Sequence, residues 1–240
     1  MTRRRWIADE VSGDRAALVG EHAAHLARVL RARVGQEFDI AAAGRVRRGR
    51  VAAVSDTRVD FELGEDVAAL PGLPLTLLLS IFRFERMEWA IEKLTELGAA
   101  RLLPVIARRT DARLAQAAAK RVERWRKLAR EAAEQSRRAV APEVTAPVKL
   151  REAVNGQEGL RIFLDESEEQ TTLKQALRGH TPGQPVALAL GPEGGWTEEE
   201  VKLLVERGWK AASLGSRILR AETAAIAALA IVAAELDGES

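Results

Sequence analysis

Two short stretches of this chain hold residue types that can bind and act on a ligand. They are Leu190-Gly191-Pro192-Glu193-Gly194-Gly195-Trp196 and Leu214-Gly215-Ser216-Arg217-Ile218-Leu219-Arg220-Ala221-Glu222-Thr223-Ala224. Each follows an apolar segment that reads as a strand. Glycines at a strand end let backbone N–H groups approach a ligand closely and permit positive φ. Open α/β sheets bind ligands beyond the carboxyl ends of their strands. The second stretch adds two arginines, a glutamate and a threonine at the start of a small-residue helix. Taken alone, Gly-Pro-Glu-Gly-Gly also reads as a tight strand-to-helix turn. It is no phosphate loop, because no Gly-Lys-Ser/Thr follows, and it lacks the Gly-x-Gly-x-x-Gly dinucleotide fingerprint.

The rest of the composition narrows the chemistry. The 240 residues include no cysteine, no tyrosine and three histidines, His22, His25 and His180. Disulfides, thiolate zinc sites, iron–sulfur clusters and cysteine nucleophiles are excluded. No two histidines have metal-ligand spacing, and His22 and His25 read as surface or packing residues of one helix, so no metal is expected. Hydrophobic residues make up 47% and charged residues 30%, an ordinary globular balance. The most apolar run, Ala224–Leu236, falls short of the roughly 20 residues a membrane helix needs, so no membrane partner is expected. The opening Met-Thr-Arg-Arg-Arg-Trp leads into no apolar core, which argues against a signal peptide. The expected location is the cytoplasm.

Charge is unevenly placed. Residues 1–50 carry 11 arginines against 6 acids, and residues 83–138 carry 15 basic residues against 8 acids. The intervening and C-terminal segments are net acidic, leaving a formal net charge of +2. Arginine outnumbers lysine 30 to 7. Its planar fork grips phosphate at two points and stacks on bases. The two basic segments read as RNA-contacting surfaces or as the solvated helix faces of an arginine-rich chain.

The elements that must position these loops fall into two groups. Up to about residue 65 the pattern gives short strands at Val34–Ile40, Val46–Val54 and Arg58–Leu63 around one helix, His22–Leu30. A linker is expected at Gly64–Pro74, where Pro71, Gly72 and Pro74 cluster. Beyond it strands and helices alternate. Leu75–Phe82 is a continuous apolar run, as in a strand buried on both faces. A helix over Arg86–Leu97 follows, closed by Gly98. Further strands are expected at Leu102–Ile106, Leu160–Leu164, Val186–Leu190 and Ala212–Leu214. Helices are expected at Ala117–Arg138, Glu198–Glu206 and Glu222–Leu236, the second opened by a Thr197-x-x-Glu200 capping box. This alternation predicts a largely parallel α/β sheet with helices on both faces.

The two loops, in this order and spacing, resemble those of the knotted SPOUT methyltransferases, and more narrowly the RsmE-type enzymes that methylate N3 of a uridine in small-subunit (16S) ribosomal RNA. The likeness continues upstream. His25-Leu26-Ala27-Arg28-Val29-Leu30-Arg31 with Gly35 resembles that family's N-terminal signature. Glu92-Lys93-Leu94-Thr95-Glu96-Leu97-Gly98 resembles its central helix, and Arg130-Glu131-Ala132-Ala133-Glu134-Gln135-Ser136-Arg137-Arg138 with Pro142 its long basic helix. One departure lies at Arg83–Arg86, where the family pattern leads to a lysine near Arg86.

The resemblance implies a PUA-like RNA-binding β-barrel over residues 1–70 and a SPOUT α/β-knot methyltransferase domain over residues 74–240. It also implies S-adenosylmethionine as cofactor and a homodimer. The small-residue face of Ala224–Leu236 suits close helix packing across a two-fold axis. The implied cofactor contacts are Leu164, Leu190, Gly191, Pro192, Glu193, Gly194, Gly195, Leu214, Gly215, Ile218, Leu219, Arg220, Thr223 and Ala224. Arg220 is the expected catalytic cation, stabilising charge on the uridine carbonyl. Glu222 or Glu193 accepts the proton, or either anchors its loop through backbone N–H groups. Arg4, Arg5, Arg28, Arg31, Arg86, Arg137 and Arg138 are expected to contact ribosomal RNA. Methylation at uridine C5 commonly needs a cysteine nucleophile, so the acceptor is a nitrogen or an oxygen. A ribose 2′-hydroxyl of ribosomal or transfer RNA, or a non-catalytic RNA-binding role, are the competing readings.

Overall fold

The computed structural model describes residues 5–69, 72–181 and 183–237. Packing divides the chain into two units, Met1–Gly72 with Arg130–Ala141, and Leu73–Ala129 with Pro142–Ser240. The expected linker spans this first boundary, and its residues 70 and 71 lie outside the described set.

The first unit carries β1 (Arg5–Ile7), β2 (Glu10–Ser12), β3 (Arg15–Val19), α1 (Gly20–Ala24), β4 (Glu37–Ala42), β5 (Arg45–Val54) and β6 (Arg58–Asp66). The strands form one sheet in the order β1-β4-β5-β6-β3-β2, antiparallel except for β1 beside β4. The ladder between β5 and β6 shifts register twice, which bends a strand. At Gly49 an added Cβ would fall 2.3 Å from Ile40 Cγ1, so only glycine lets β5 cross β4 there. Trp6, Leu18, Leu26, Ile40, Val59 and Phe61 fill the core.

The helix expected over His22–Leu30 is α1 followed by a π-helical turn, His25–Val29. This wide turn sends Leu26 into the core and leaves Val29 and Leu30 exposed. The strand expected from Val34 starts only at Glu37, and Val34 is exposed. Strands β1 to β3, too short to show alternation, were not legible in the sequence.

Within this unit, residues 130–141 are tied to the sheet by charge. Arg130 Nη1 lies 2.7 Å from Asp9 Oδ1, and the backbone N–H of Ile7 donates to Glu134 Oε1 at 3.1 Å. Arg137 reaches Asp39 at 3.5 Å, and Arg5 donates to the Arg137 carbonyl. Asp39 and Glu134 are almost fully buried. Burial alone would raise the Asp9 carboxyl. The hydrogen bond from His22, the Val19 N–H and the Arg130 charge together hold it below its ordinary value of 3.8.

The second unit is a seven-stranded, wholly parallel sheet, as the alternation predicts. Its elements begin with β7 (Leu75–Ser80), α2 (Phe84–Glu96), β8 (Arg101–Ile106), α3 (Ala112–Ala118) and α4 (Val122–Gln135), the last of which passes into the first unit at Arg130. Next come β9 (Glu143–Val144), β10 (Val148–Lys149), α5 (Leu150–Ala153), β11 (Leu160–Leu164) and α6 (Leu173–Ala176). The chain ends with β12 (Val186–Leu190), α7 (Glu198–Glu206), β13 (Lys210–Ala212) and α8 (Ala221–Asp237). The order is β10-β8-β7-β12-β11-β13, with β9 also on β8.

Met87, Ile91 and Leu94 of α2 are buried, and Gly98 closes the helix at φ +102°. The single helix expected over Ala117–Arg138 is instead α3, a 3₁₀ turn and α4. Its true start is Asp111, whose carboxylate accepts from the Arg113 and Leu114 N–H groups. The capping box at Thr197 and Glu200 forms as expected. Among the described residues no helix is long and apolar enough to cross a membrane.

Because the folded-state Asp9 carboxyl is held low, its contribution to stability is full above about pH 4 and fades as pH falls through the folded value. Thermal unfolding at pH 7 and pH 3 should show a larger drop in Tm for the wild type than for Asp9→Asn. Equal drops would place the acid sensitivity elsewhere.

Candidate active site

Strands β11, β12 and β13 are neighbours and end together at Leu164, Leu190 and Ala212. The loops that follow them enclose a cavity of about 540 Å³, at the carboxyl edge where parallel sheets hold ligands.

Long-range hydrogen bonds lace these loops together. Arg109, just past β8, donates from Nη1 to the carbonyls of Gly194 at 2.6 Å and Trp196 at 3.0 Å. The Trp196 indole donates to the Leu164 carbonyl at 2.9 Å, joining the loop after β12 to the end of β11. Glu200, the capping-box residue, also accepts from the Arg108 N–H at 2.8 Å, which fixes the segment carrying Arg109. Glycine is required where this lacing is tight. Gly195 sits at φ +70°, and a Cβ on Gly191 would meet the Trp196 ring at 3.2 Å.

Most residues expected at a cofactor site line this cavity. From the first loop these are Leu190, Gly191, Pro192, Glu193 and Gly195, joined by Leu164. From the second they are Leu214, Gly215, Ile218, Leu219, Arg220 and Ala224. Gly194 does not line it, its carbonyl being turned to Arg109, and Thr223 is exposed on the first turn of α8. Glu222 does not line it either. Its carboxylate is buried with Oε1 3.5 Å from Arg86 Nε, so it anchors through a side-chain cation rather than through backbone N–H groups. The Arg217 and Arg220 side chains are exposed and make no hydrogen bond or ion pair among the described residues, and Ile218 is 95% exposed.

Arg109, Trp196, Asp165 and Glu166 also line the cavity and were missed in the sequence. Arg109 follows a strand end, as the recognised loops do, but nothing local marks its partners.

The arginines expected to face RNA are placed differently from one another. Arg4 lies outside the described residues. Arg5 is 3% exposed, and its burial takes it out of any RNA-facing set. Desolvation lowers its pKa, partly offset by Asp39. Arg28 is exposed and pairs with exposed Asp56 at 2.8 Å. Arg31 and Arg137 are exposed at φ +52° and +62°, conformations side chains rarely adopt. Burial lowers the pKa of Arg138. Arg86 lines the cavity.

Residues 70–233 match the family model described as an RNA methyltransferase domain. The chain belongs to the RNA methyltransferase family. It is 35% identical over 218 residues to the ribosomal RNA small subunit methyltransferase E of Synechocystis, spanning 89% of this chain and 71% of that one. The Bacillus subtilis protein of the same name is 31% identical over 226 residues, covering 90% and 88%. In structure, this RNA methyltransferase is similar to a ribosomal RNA small subunit methyltransferase E from Neisseria gonorrhoeae, crystallised bound to S-adenosyl methionine. The TM-score is 0.83 at 30% identity, covering 95% of this chain and 96% of that one.

If Arg109 holds the glycine loop in its binding shape, Arg109→Ala should weaken ligand binding to the cavity without unfolding the protein. Two charge-assisted bonds, one of them exposed, support a loss of about 1–3 kcal/mol, or roughly tenfold to a hundredfold in Kd. Isothermal titration with S-adenosylmethionine measures it, and an unchanged Kd would show that the loop holds its shape without Arg109.

Proposed function

We propose that this enzyme transfers the methyl group of S-adenosylmethionine to N3 of a uridine in small-subunit (16S) ribosomal RNA. The observation that carries this reading is the cavity itself, built by the glycine loop and the Arg217–Arg220 loop at the carboxyl edge of a parallel sheet. Membership in the RNA methyltransferase family and likeness to an S-adenosylmethionine-bound relative support it.

The lining fits that cofactor. Leu164, Leu190, Leu214 and Leu219 offer apolar surface to an adenine ring. Asp165 and Glu166 offer carboxylates to ribose hydroxyls and a cationic amino group, and Glu166 makes no hydrogen bond or ion pair among the described residues. The backbone of Gly191–Gly195 is bare enough for close approach. When bound, S-adenosylmethionine supplies an electrophilic methyl group on a positively charged sulfur.

The protein's part is to align acceptor and donor and to exclude competing poses, which can supply much of the acceleration. Uridine N3 must lose its proton, and the resulting charge spreads to the carbonyl oxygens beside it. Arg220, exposed at the cavity with no side-chain partner among the described residues, is placed to meet that charge. Glu193, the exposed carboxylate of the glycine loop, is the first acceptor for the departing proton, which passes on to water.

The first unit, residues 1–70 in the expected division, serves in this reading as a PUA-like RNA grip. Its exposed Arg28, Arg31 and Arg33 stand among exposed Val29, Leu30 and Val34, a mixture suited to phosphates and bases. Residues 74–240 form the catalytic domain. In this reading they fold as a SPOUT α/β knot. The partly exposed Ala224, Ala227 and Ala230 of α8 suit a homodimer, and ribosomal RNA as substrate suits a cytoplasmic location.

Arg220→Ala should lower single-turnover methylation about a hundred- to a thousandfold, or roughly 3–4 kcal/mol. Tm and S-adenosylmethionine affinity should stay within a few fold of the wild type. A near-normal rate at saturating cofactor would remove Arg220 from the chemistry. Mass spectrometry of the product nucleoside should find 3-methyluridine, and a 2′-O-methylated nucleoside would overturn the assignment of the acceptor.

A further inference from the structure

Glu222 and Arg86 form a pair that the reading above leaves without a purpose. Glu222 opens α8, and Arg86 lies in the first turn of α2, two helices that pack together. Glu222 is 6% exposed, and its Oε2 is buried with no hydrogen-bond partner. Its Oε1 faces Arg86 Nε at 3.5 Å. A buried carboxylate with an unpartnered oxygen is costly and rare. Arg86, unlike Glu222, lines the cavity. With Nε turned toward Glu222, its terminal amino groups remain for a ligand there.

We propose that Glu222 is a positioning residue that holds Arg86 at the cavity, and that Arg86 is a second catalytic cation for the acceptor uracil. The proposal rests on the uridine reading above. A uracil ring that has lost its N3 proton carries its charge on two oxygens, O2 and O4, one on each side of N3. A single arginine addresses only one of them in good geometry. The charged groups lining the cavity besides Arg86 are Arg109, Asp165, Glu166, Glu193, Arg217 and Arg220. Arg109 is committed to the Gly194 and Trp196 carbonyls, and Arg217 lies in the exposed loop without a fixed partner. Arg86 is the lining arginine held in place by a buried carboxylate, and preorganised donors are the ones that lower barriers. In the step it assists, the N3–H bond breaks and the proton goes to Glu193 and on to water. The N3–methyl bond forms as the methyl–sulfur bond breaks, and the bonding pair stays on sulfur, which becomes a neutral thioether.

The test uses Arg86→Gln, Glu222→Gln, Arg86→Lys and the double variant Arg86→Gln/Glu222→Gln in the full-length protein. Single-turnover rates are measured from pH 6 to 10 beside Tm and S-adenosylmethionine Kd. Each glutamine variant should lose about a hundredfold in rate, with cofactor Kd within threefold. The rising limb of the pH–rate profile should move to higher pH, because the cation that favours the ionised ring is lost or misplaced. The double variant should be no slower than Arg86→Gln, since Glu222 acts only through Arg86. Arg86→Lys should restore part of the rate. Arg86→Gln leaves a buried carboxylate alone and should lower Tm, whereas the double variant, with no buried charge, should recover it and carries the test if the single variant does not fold. Losses that multiply in the double variant would make Glu222 an independent base and overturn the proposal. So would lowered Tm with wild-type rates, which is the outcome of a purely structural pair. A wild-type protein that makes no 3-methyluridine would instead overturn the uridine reading on which the proposal rests.

Discussion

The cavity depends on one set of bonds, those that run from Glu200 through Arg108 and Arg109 to the glycine loop and on through Trp196 to Leu164. A Gly-Pro-Glu-Gly-Gly segment has little shape of its own, because glycines lose more conformational freedom on ordering than any other residue. Here that cost is offset by an arginine fork closing on two carbonyls and by an indole N–H closing on a third. These bonds tie the loops after β8 and β12 and the end of β11 to one another. The ligand meets a cradle already formed, so little of its binding energy is spent on ordering the loop. The loop after β13 is different. The side chains of Arg217, Ile218 and Arg220 are exposed and without a bonded partner among the described residues, which leaves that wall of the cavity to respond to what binds.

The arginines divide by the same logic of partners. In the first unit Arg5, Arg130 and Arg137 are drawn inward by Asp39, Asp9 and Glu134, and they hold residues 130–141 to the sheet. Arg45, Arg47 and Arg58 pair on the surface with Asp66, Asp14, Glu10 and Asp60. Exposed pairs of this kind contribute little to stability, but they reduce the positive charge on their own face. Arg31 and Arg33, with no such partner, and Arg28, whose pair with Asp56 is fully in solvent, keep their charge beside apolar side chains. The basic composition of the N-terminal segment thus serves folding and surface recognition with separate residues.

What was legible in the sequence was local. Strand ends marked by glycine, the Thr197–Glu200 capping box, the Gly98 cap and the apolar run of β7 each announce themselves within a few residues, and each is present. What was not legible depends on distant partners. Arg109 lies 85 residues from Gly194, and its role exists only once β8 and β12 end at the same edge. The inward turn of Arg5 and the assignment of residues 130–141 to the first unit likewise follow from tertiary pairing, since an arginine on a helix face looks the same whether it meets solvent or a buried aspartate. The break of the expected long helix at Ala119–Arg121 has no breaker residue to announce it. Glu222 was left between proton acceptor and loop anchor, and its carboxylate faces Arg86 rather than backbone N–H groups.

The proposed site for S-adenosylmethionine is a laced cradle at the ends of β11, β12 and β13. Hydrogen–deuterium exchange with and without that cofactor measures this most directly. In the free protein the Gly195 amide, which donates to the Pro192 carbonyl, should exchange slowly. Addition of cofactor should then protect residues 164–167 and 213–221. Fast exchange at Gly195 in the free protein, or protection by cofactor confined to segments away from these three loops, would contradict the account.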